Sequence, residues 1–202
     1  MESTTSGAAA LAVEPALTAE ELEQARLFLR QAQDGIIGAL KGVSEAQGKF
    51  KPGPGIWSIC ENLEHVIFAQ ERVLGPIREQ LASAPAGPAD RDCSLVDAIV
   101  INQFPNRLTK YQAPEIALPK GGLGLSEAAD RVVANTRRLA EQLESTPDLR
   151  QHVMAAPPLK AVSKGEHHLM DGYQWILAMA AHTERHTKQI LEVEADPNFP
   201  KH

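Results

Sequence analysis

Two histidines stand four apart in "WILAMAAHTERHTKQI", residues 175–190, a stretch that reads as a helix. Trp175, Met179, His182, His186, Ile190 and Val193 share one stripe at a 3.6-residue period, so the two imidazoles stack one turn apart on the side the helix should bury. Their Cβ atoms then lie roughly 5–6 Å apart, a spacing from which both rings can turn to one cation. Three readings stay open on spacing alone: a pair of metal ligands, two core histidines hydrogen-bonded to neighbours, or a solvated edge of the stripe. His65, in "ENLEHVIF", lies off the Leu63, Val66, Ile67 stripe and beside Glu61, Asn62, Ala69 and Arg72. That is the place of a groove-lining residue or of an ordinary surface histidine.

Two familiar metal motifs are excluded. "HTERH" has Thr183 where the His-Glu-x-x-His metalloproteases carry their general base, and Glu61 is four residues before His65 rather than the three of a di-iron Glu-x-x-His segment. Of the other polar groups, Glu61 is a candidate acceptor for a ligand histidine or a base, although a helix cap explains it fully. Asn62, one turn before His65, either faces the same cavity or is solvated. Glu61 and Asn62 are therefore weak catalytic candidates. Trp57 and Tyr173 either wall a pocket or pack at helix ends, and His152, His167, His168 and His202 are expected to be solvated.

The elements that must position these residues are helical. Thr18 and Glu21 form a capping box that opens a helix to about Leu40, with Leu22, Ala25, Leu29, Ala32, Ile36 and Leu40 on one face. "GKFKPGPGIW", residues 48–57, breaks it. Ser58 and Glu61 repeat the box and open a second helix to about Ala82, with Ile59, Leu63, Val66, Ile67, Leu74, Ile77 and Leu81 inward. Residues 93–120 are mixed: "SLVDAIVINQF" suits a helix cut by Pro105, and "PEIALPKGGLGL" an irregular connection. Ser126 is expected to cap a third helix to about Glu144, with Val132, Val133, Thr136, Leu139, Ala140 and Leu143 inward, and a fourth runs from about Leu169 to Glu194. Pro147, Pro157 and Pro158 punctuate the connection between them. With no convincing alternating strand, the fold class is all-α, a four-helix bundle with a long irregular connection between helices 2 and 3.

Composition agrees. Of 202 residues 43% are hydrophobic and only 4% aromatic, an ordinary globular balance leaning toward helix, and one domain spanning 18–202 is expected. Residues 1–17 carry no Lys or Arg and too short an apolar run for a secretory signal or a span, so they read as a disordered leader of a cytoplasmic protein without membrane contact. A net charge of −6 argues against nucleic acid as a partner. Cys60 and Cys93 are too few for a disulfide framework and are expected to be reduced thiols.

"WSICENLEHVIFAQERV", residues 57–73, together with "GYQWILAMAAHTERHTKQILEVEADPNFPK", residues 172–201, resembles the DinB-like (DinB/YfiT-like) superfamily of four-helix-bundle metalloenzymes. Its members carry a Trp-Ser helix opening followed by a His on the second helix, and a His-x-x-x-His pair on the last. By position, the resemblance implies that His65, His182 and His186 form a three-His site for a mononuclear divalent metal ion: Zn, Ni, Fe or Mn. Such a site leaves coordination positions open, the arrangement of catalytic rather than structural sites. Some members are thiol-dependent transferases or isomerases, so a low-molecular-weight thiol is a second cofactor candidate. The expectation is a metal-dependent transferase or hydrolase acting on a small electrophile in detoxification or stress response, as a homodimer. A non-catalytic metal-binding bundle and a metal-free dimerising scaffold are the alternatives. Metal binding is expected to weaken as pH falls through about 6.5.

Overall fold

A computed structural model describes residues 17–146 and 148–201, so most of the expected leader, Pro147 and His202 lie outside the described residues. In chain order the elements are α1 (Ala19–Ala39), α2 (Glu45–Gly48), α3 (Ile59–Arg72), α4 (Arg78–Leu81), α5 (Cys93–Gln103), α6 (Leu125–Ser145), β1 (Val153–Ala155), α7 (Pro157–Val162), β2 (Leu169–Asp171) and α8 (Gly172–Glu194). The protein is mostly helical. α8 packs along α1, α3 and α5, while α6 packs along α3 and α1. Among the described residues no helix is long and apolar enough to cross a membrane, and no disulfide joins Cys60 to Cys93.

Both expected capping boxes form. Thr18 accepts from the Glu21 N–H while Glu21 accepts from the Thr18 N–H, and Ser58 and Glu61 do the same at the start of α3. The second expected helix continues from α3 into α4 through a π-helical turn, Val73–Ile77, which contains Pro76. A proline lacks the N–H for the α-helical ladder and its ring collides with the carbonyl four residues back; the wider turn accommodates both.

Three expectations are corrected. α6 begins at Leu125 with Gly124 at its N-cap, so Ser126 is not the cap; the Glu45 carboxylate of α2 instead accepts from the N–H groups of Leu125 and Ser126, at 2.8 and 3.0 Å. Val133 is 37% exposed because Val132, fully buried, holds the inward position, and successive helical residues point about 100° apart. The last helix starts at Gly172 rather than at about Leu169, because residues 169–171 form β2, which pairs antiparallel with β1, Val153 with Asp171 and Ala155 with Leu169, as a small ribbon in an otherwise helical fold.

That ribbon delivers the chain to α8 at a fixed angle. Asp171, its last residue, caps α8 by accepting from the Gln174 N–H, and Gln174 answers by accepting from the Asp171 N–H. Gly172 follows because a Cβ there would lie 2.7 Å from Leu149 Cδ2 and 3.1 Å from the Leu149 carbonyl oxygen. Asp171, fully buried, is also ion-paired with Arg91 at 2.7 Å and Arg150 at 3.1 Å. Arg150 reaches on to Glu21 and Asp97, both at 2.6 Å, and lies over the Tyr173 ring. One guanidinium thus joins α5 to the starts of α1 and α8.

From Gly172 to Ala181 every residue of α8 is buried, as the run "WILAMAA" requires. One apolar cluster takes in Leu29, Val100, Leu139, Tyr173, Ile176 and α8 up to Ala181. A second takes in Ile36, Leu63, Val66, Ile67, Val132 and Ile190. The two histidines of α8 fall between them.

Candidate metal centre

Polar residues on a buried helix face must find partners. Thr183 and Thr187 find theirs within α8, donating to the carbonyls of Met179 and Thr183. An imidazole cannot bend back this way, so His182 and His186 depend on α3.

α3 is set by the Ser58 cap, and its second turn carries Asn62. The Asn62 amide donates through Nδ2 to the Ser58 carbonyl at 2.9 Å, which leaves Oδ1 pointing at His186 Nδ1, 2.9 Å away. A carbonyl cannot face a carbonyl, so the amide cannot flip; His186 Nδ1 must donate, and its Nε2 is left as a bare lone pair. One turn on, His65 Nδ1 donates to the carbonyl of Ala117 at 2.7 Å, and its Nε2 is bare for the same reason. Ala117 ends a 3₁₀ turn, Glu115–Ala117, in the irregular connection before α6. His65, expected on a groove, is 8% exposed.

The three rings converge. Centroids are 5.0 Å apart for His65 and His182, 4.9 Å for His65 and His186, and 4.5 Å for His182 and His186. One ring nitrogen from each lies within 4.8 Å of the others, with no carboxylate joining the group among the described residues. His182 Nε2 is 3.2 Å from His65 Nε2. Two lone pairs do not rest at that distance unshared; a proton or a cation belongs between them. Donors about 2.0–2.1 Å from a tetrahedral zinc ion stand about 3.3 Å apart, so the spacing fits an ion as well as it fits a shared proton. The buried Nδ1 of His182 has no hydrogen-bond partner. Trp57 closes the outer side, its ring 4.9 Å from that of His65 and nearly parallel to that of His186.

Burial dominates the titration of all three rings. It holds His65 below the ordinary histidine value even though the Ala117 carbonyl pulls the other way. It pushes His182 down to about 3, helped by His65 and Arg185. His186 is lowered well below 6.5 by burial, then by His182, His65 and Arg185. The rings are therefore neutral at pH 7, the state a metal ligand needs.

The other candidates fall elsewhere. Both Glu61 oxygens are engaged away from the rings, one by the Ser58 N–H and one by Lys51 at 2.8 Å. Tyr173 lies at the far end of α8, donating to the Glu21 carbonyl. His152 is half-buried, with Nδ1 2.6 Å from the Ala84 carbonyl oxygen, while His168 is exposed. An open groove of about 530 Å³ beside α8, lined by Phe28, Gln31, Ile101, Asn102 and Lys188 among others, includes none of the three histidines. Sequence reasoning missed the Ala117 carbonyl, which no residue type announces, and two clamps. Glu64 accepts from the N–H groups of Lys120, Gly121, Gly122 and Leu123 at 2.5–2.8 Å. Burial alone would raise its pKa, but those four donors hold it below the ordinary carboxylate range. Arg185 donates to the carbonyls of Asn106 and Thr109.

A family model described as the DinB superfamily matches residues 29–190, which include all three histidines. The chain belongs to the DinB superfamily. No curated protein and no solved structure matches it. This DinB chain thus carries its three converging imidazoles inside the matched region, and their donor set is compatible with a metal site.

Proposed function

We propose that this DinB protein is a four-helix-bundle metalloenzyme in which His65, His182 and His186 hold one divalent ion, used to transfer a thiol or water to a small electrophile. The observation that carries the reading is the convergence of three imidazoles, one ring nitrogen from each within 4.8 Å of the others and the Nε2 atoms of His65 and His182 3.2 Å apart, a spacing that suits a shared ion. When bound, such an ion supplies Lewis acidity and makes a thiol or water at its open position a nucleophile near neutral pH. The chain's own residues do the rest. Asn62 and Ala117 hold two rings in the tautomer that leaves Nε2 bare, and the Trp57 ring keeps bulk water off the imidazole faces. With no carboxylate in the cluster and Arg185 next in sequence to His186, the surroundings favour an anionic ligand, a thiolate or hydroxide, over a neutral one.

The test is metal analysis of protein purified without a metal-affinity tag. We expect close to one ion per chain, lost in the His182→Ala, His186→Ala double variant; equal metal in both would remove the site. A panel of small electrophiles assayed with and without low-molecular-weight thiols then tests transfer against hydrolysis. Silence across the panel in metal-loaded protein would leave a metal-binding bundle without catalysis. The expected homodimer belongs to the same proposal and is checked by light scattering.

A further inference from the structure

Glu64 and His65 are neighbours on α3 and act on one segment of chain. His65 donates to the Ala117 carbonyl, and Glu64 gathers the four consecutive N–H groups of residues 120–123 onto its two oxygens. Gly121 sits at φ +70°, where its N–H can turn inward beside those of Lys120 and Gly122 at no steric cost. Between Ala117 and Lys120 stand only Leu118 and Pro119, the latter with its φ held by the ring. The carbonyl that sets the His65 tautomer is therefore tied by three short residue steps to a carboxylate one position before the ligand.

We propose that Glu64 is a positioning residue of the metal site: by clamping residues 120–123 it holds the Ala117 carbonyl against His65 Nδ1 and so aims His65 Nε2 at the ion. The inference rests on the metal reading above. Glu45 provides the control, since its carboxylate accepts from Leu125 and Ser126 at the same end of the connection without touching the stretch that ends on Ala117.

The experiment is a zinc titration at pH 7.5 against a chelating indicator, run on wild type, Glu64→Ala, Glu64→Gln and Glu45→Ala, at a temperature where circular dichroism shows each folded. Partners that orient a metal-ligating histidine cost 10–100-fold in affinity when lost. We expect Glu64→Ala to weaken zinc binding about tenfold, with Glu64→Gln, which keeps one acceptor oxygen, in between and Glu45→Ala unchanged. The visible spectrum of the cobalt-saturated protein should change for the Glu64 variants, more for Glu64→Ala than for Glu64→Gln, and not for Glu45→Ala. Should Glu64→Ala fail to fold, Glu64→Gln carries the comparison. Affinity in the Glu64 variants equal to wild type, or an equal loss in Glu45→Ala, overturns the inference while leaving the metal reading intact. Wild-type protein that takes up no zinc overturns the metal reading itself and this inference with it.

Discussion

Asn62 uses both ends of its amide, one on Ser58 and one on His186, so its loss removes more than a hydrogen bond. Asn62→Ala leaves a buried imidazole N–H without an acceptor, which costs about 1–3 kcal/mol. It also frees the His186 tautomer, which should weaken zinc binding by about 10–100-fold. Urea melts of metal-free protein and a zinc titration read the two effects separately, and zinc affinity equal to wild type would show that His186 needs no such partner. The lowered pKa values of the rings carry a second prediction. Below pH 6.5 the unfolded chain takes up protons on His65, His182 and His186 that the native protein takes up only at lower pH, far lower for His182 and His186. Metal-free protein is therefore at full stability above that value and loses it as pH falls, by up to about 1.4 kcal/mol per pH unit for each ring. Urea melts between pH 7 and 5 check the slope, which should flatten in the His182→Ala, His186→Ala variant. For the same reason proton competition for an ion at the proposed site is expected to set in below 6.5, because burial lowers the ring pKa values.

At the scale of elements, α3 and α8 are the two that must keep their phase, and each depends on how it begins. Ser58→Ala removes the side-chain acceptor for the Glu61 N–H and should cost about 1 kcal/mol. Gly172→Ala pushes a methyl into Leu149 from both side chain and backbone at the first residue of α8, and should cost about 1–3 kcal/mol. Thermal melts decide both, and a Gly172→Ala protein as stable as wild type would show that the β2–α8 junction has slack. The boxes at Thr18 and Ser58 were legible in sequence because a cap is a local contact between residues three apart. The Glu45 cap on α6 was not, since its two partners are 80 and 81 residues away. The β1–β2 ribbon was equally hidden: three-residue strands are too short to show alternation, and only their pairing defines them.

Across the whole molecule, α1, α5 and α8 meet on Arg150, which is 6% exposed and ion-paired to three carboxylates. Arg150→Ala leaves Glu21, Asp97 and the fully buried Asp171 short of a partner, and breaking such a network costs about 3–5 kcal/mol. A denaturation midpoint shifted by less than a quarter of that would make the network incidental. An ion held at the proposed site would act on the same global equilibrium: zinc at a hundred times its dissociation constant should add about 2.7 kcal/mol to stability, and chelation should remove it. A thermal shift assay with and without chelator reads this directly.

What the sequence determined by itself was periodic or local: the long helices, the capping boxes at Thr18 and Ser58, the buried stripe of α8, and two histidines one turn apart on it. Those properties depend on spacing along one chain, which the α-helix converts directly into direction. Tertiary structure decided the rest. It brought His65 across to the α8 pair, set two ring tautomers through Asn62 and a backbone carbonyl 52 residues downstream, and tied three helices to one arginine. Spacing along a helix says where a side chain points, but a metal centre needs donors to meet, and that depends on which helix packs against which and on the backbone groups their packing leaves beside each ring.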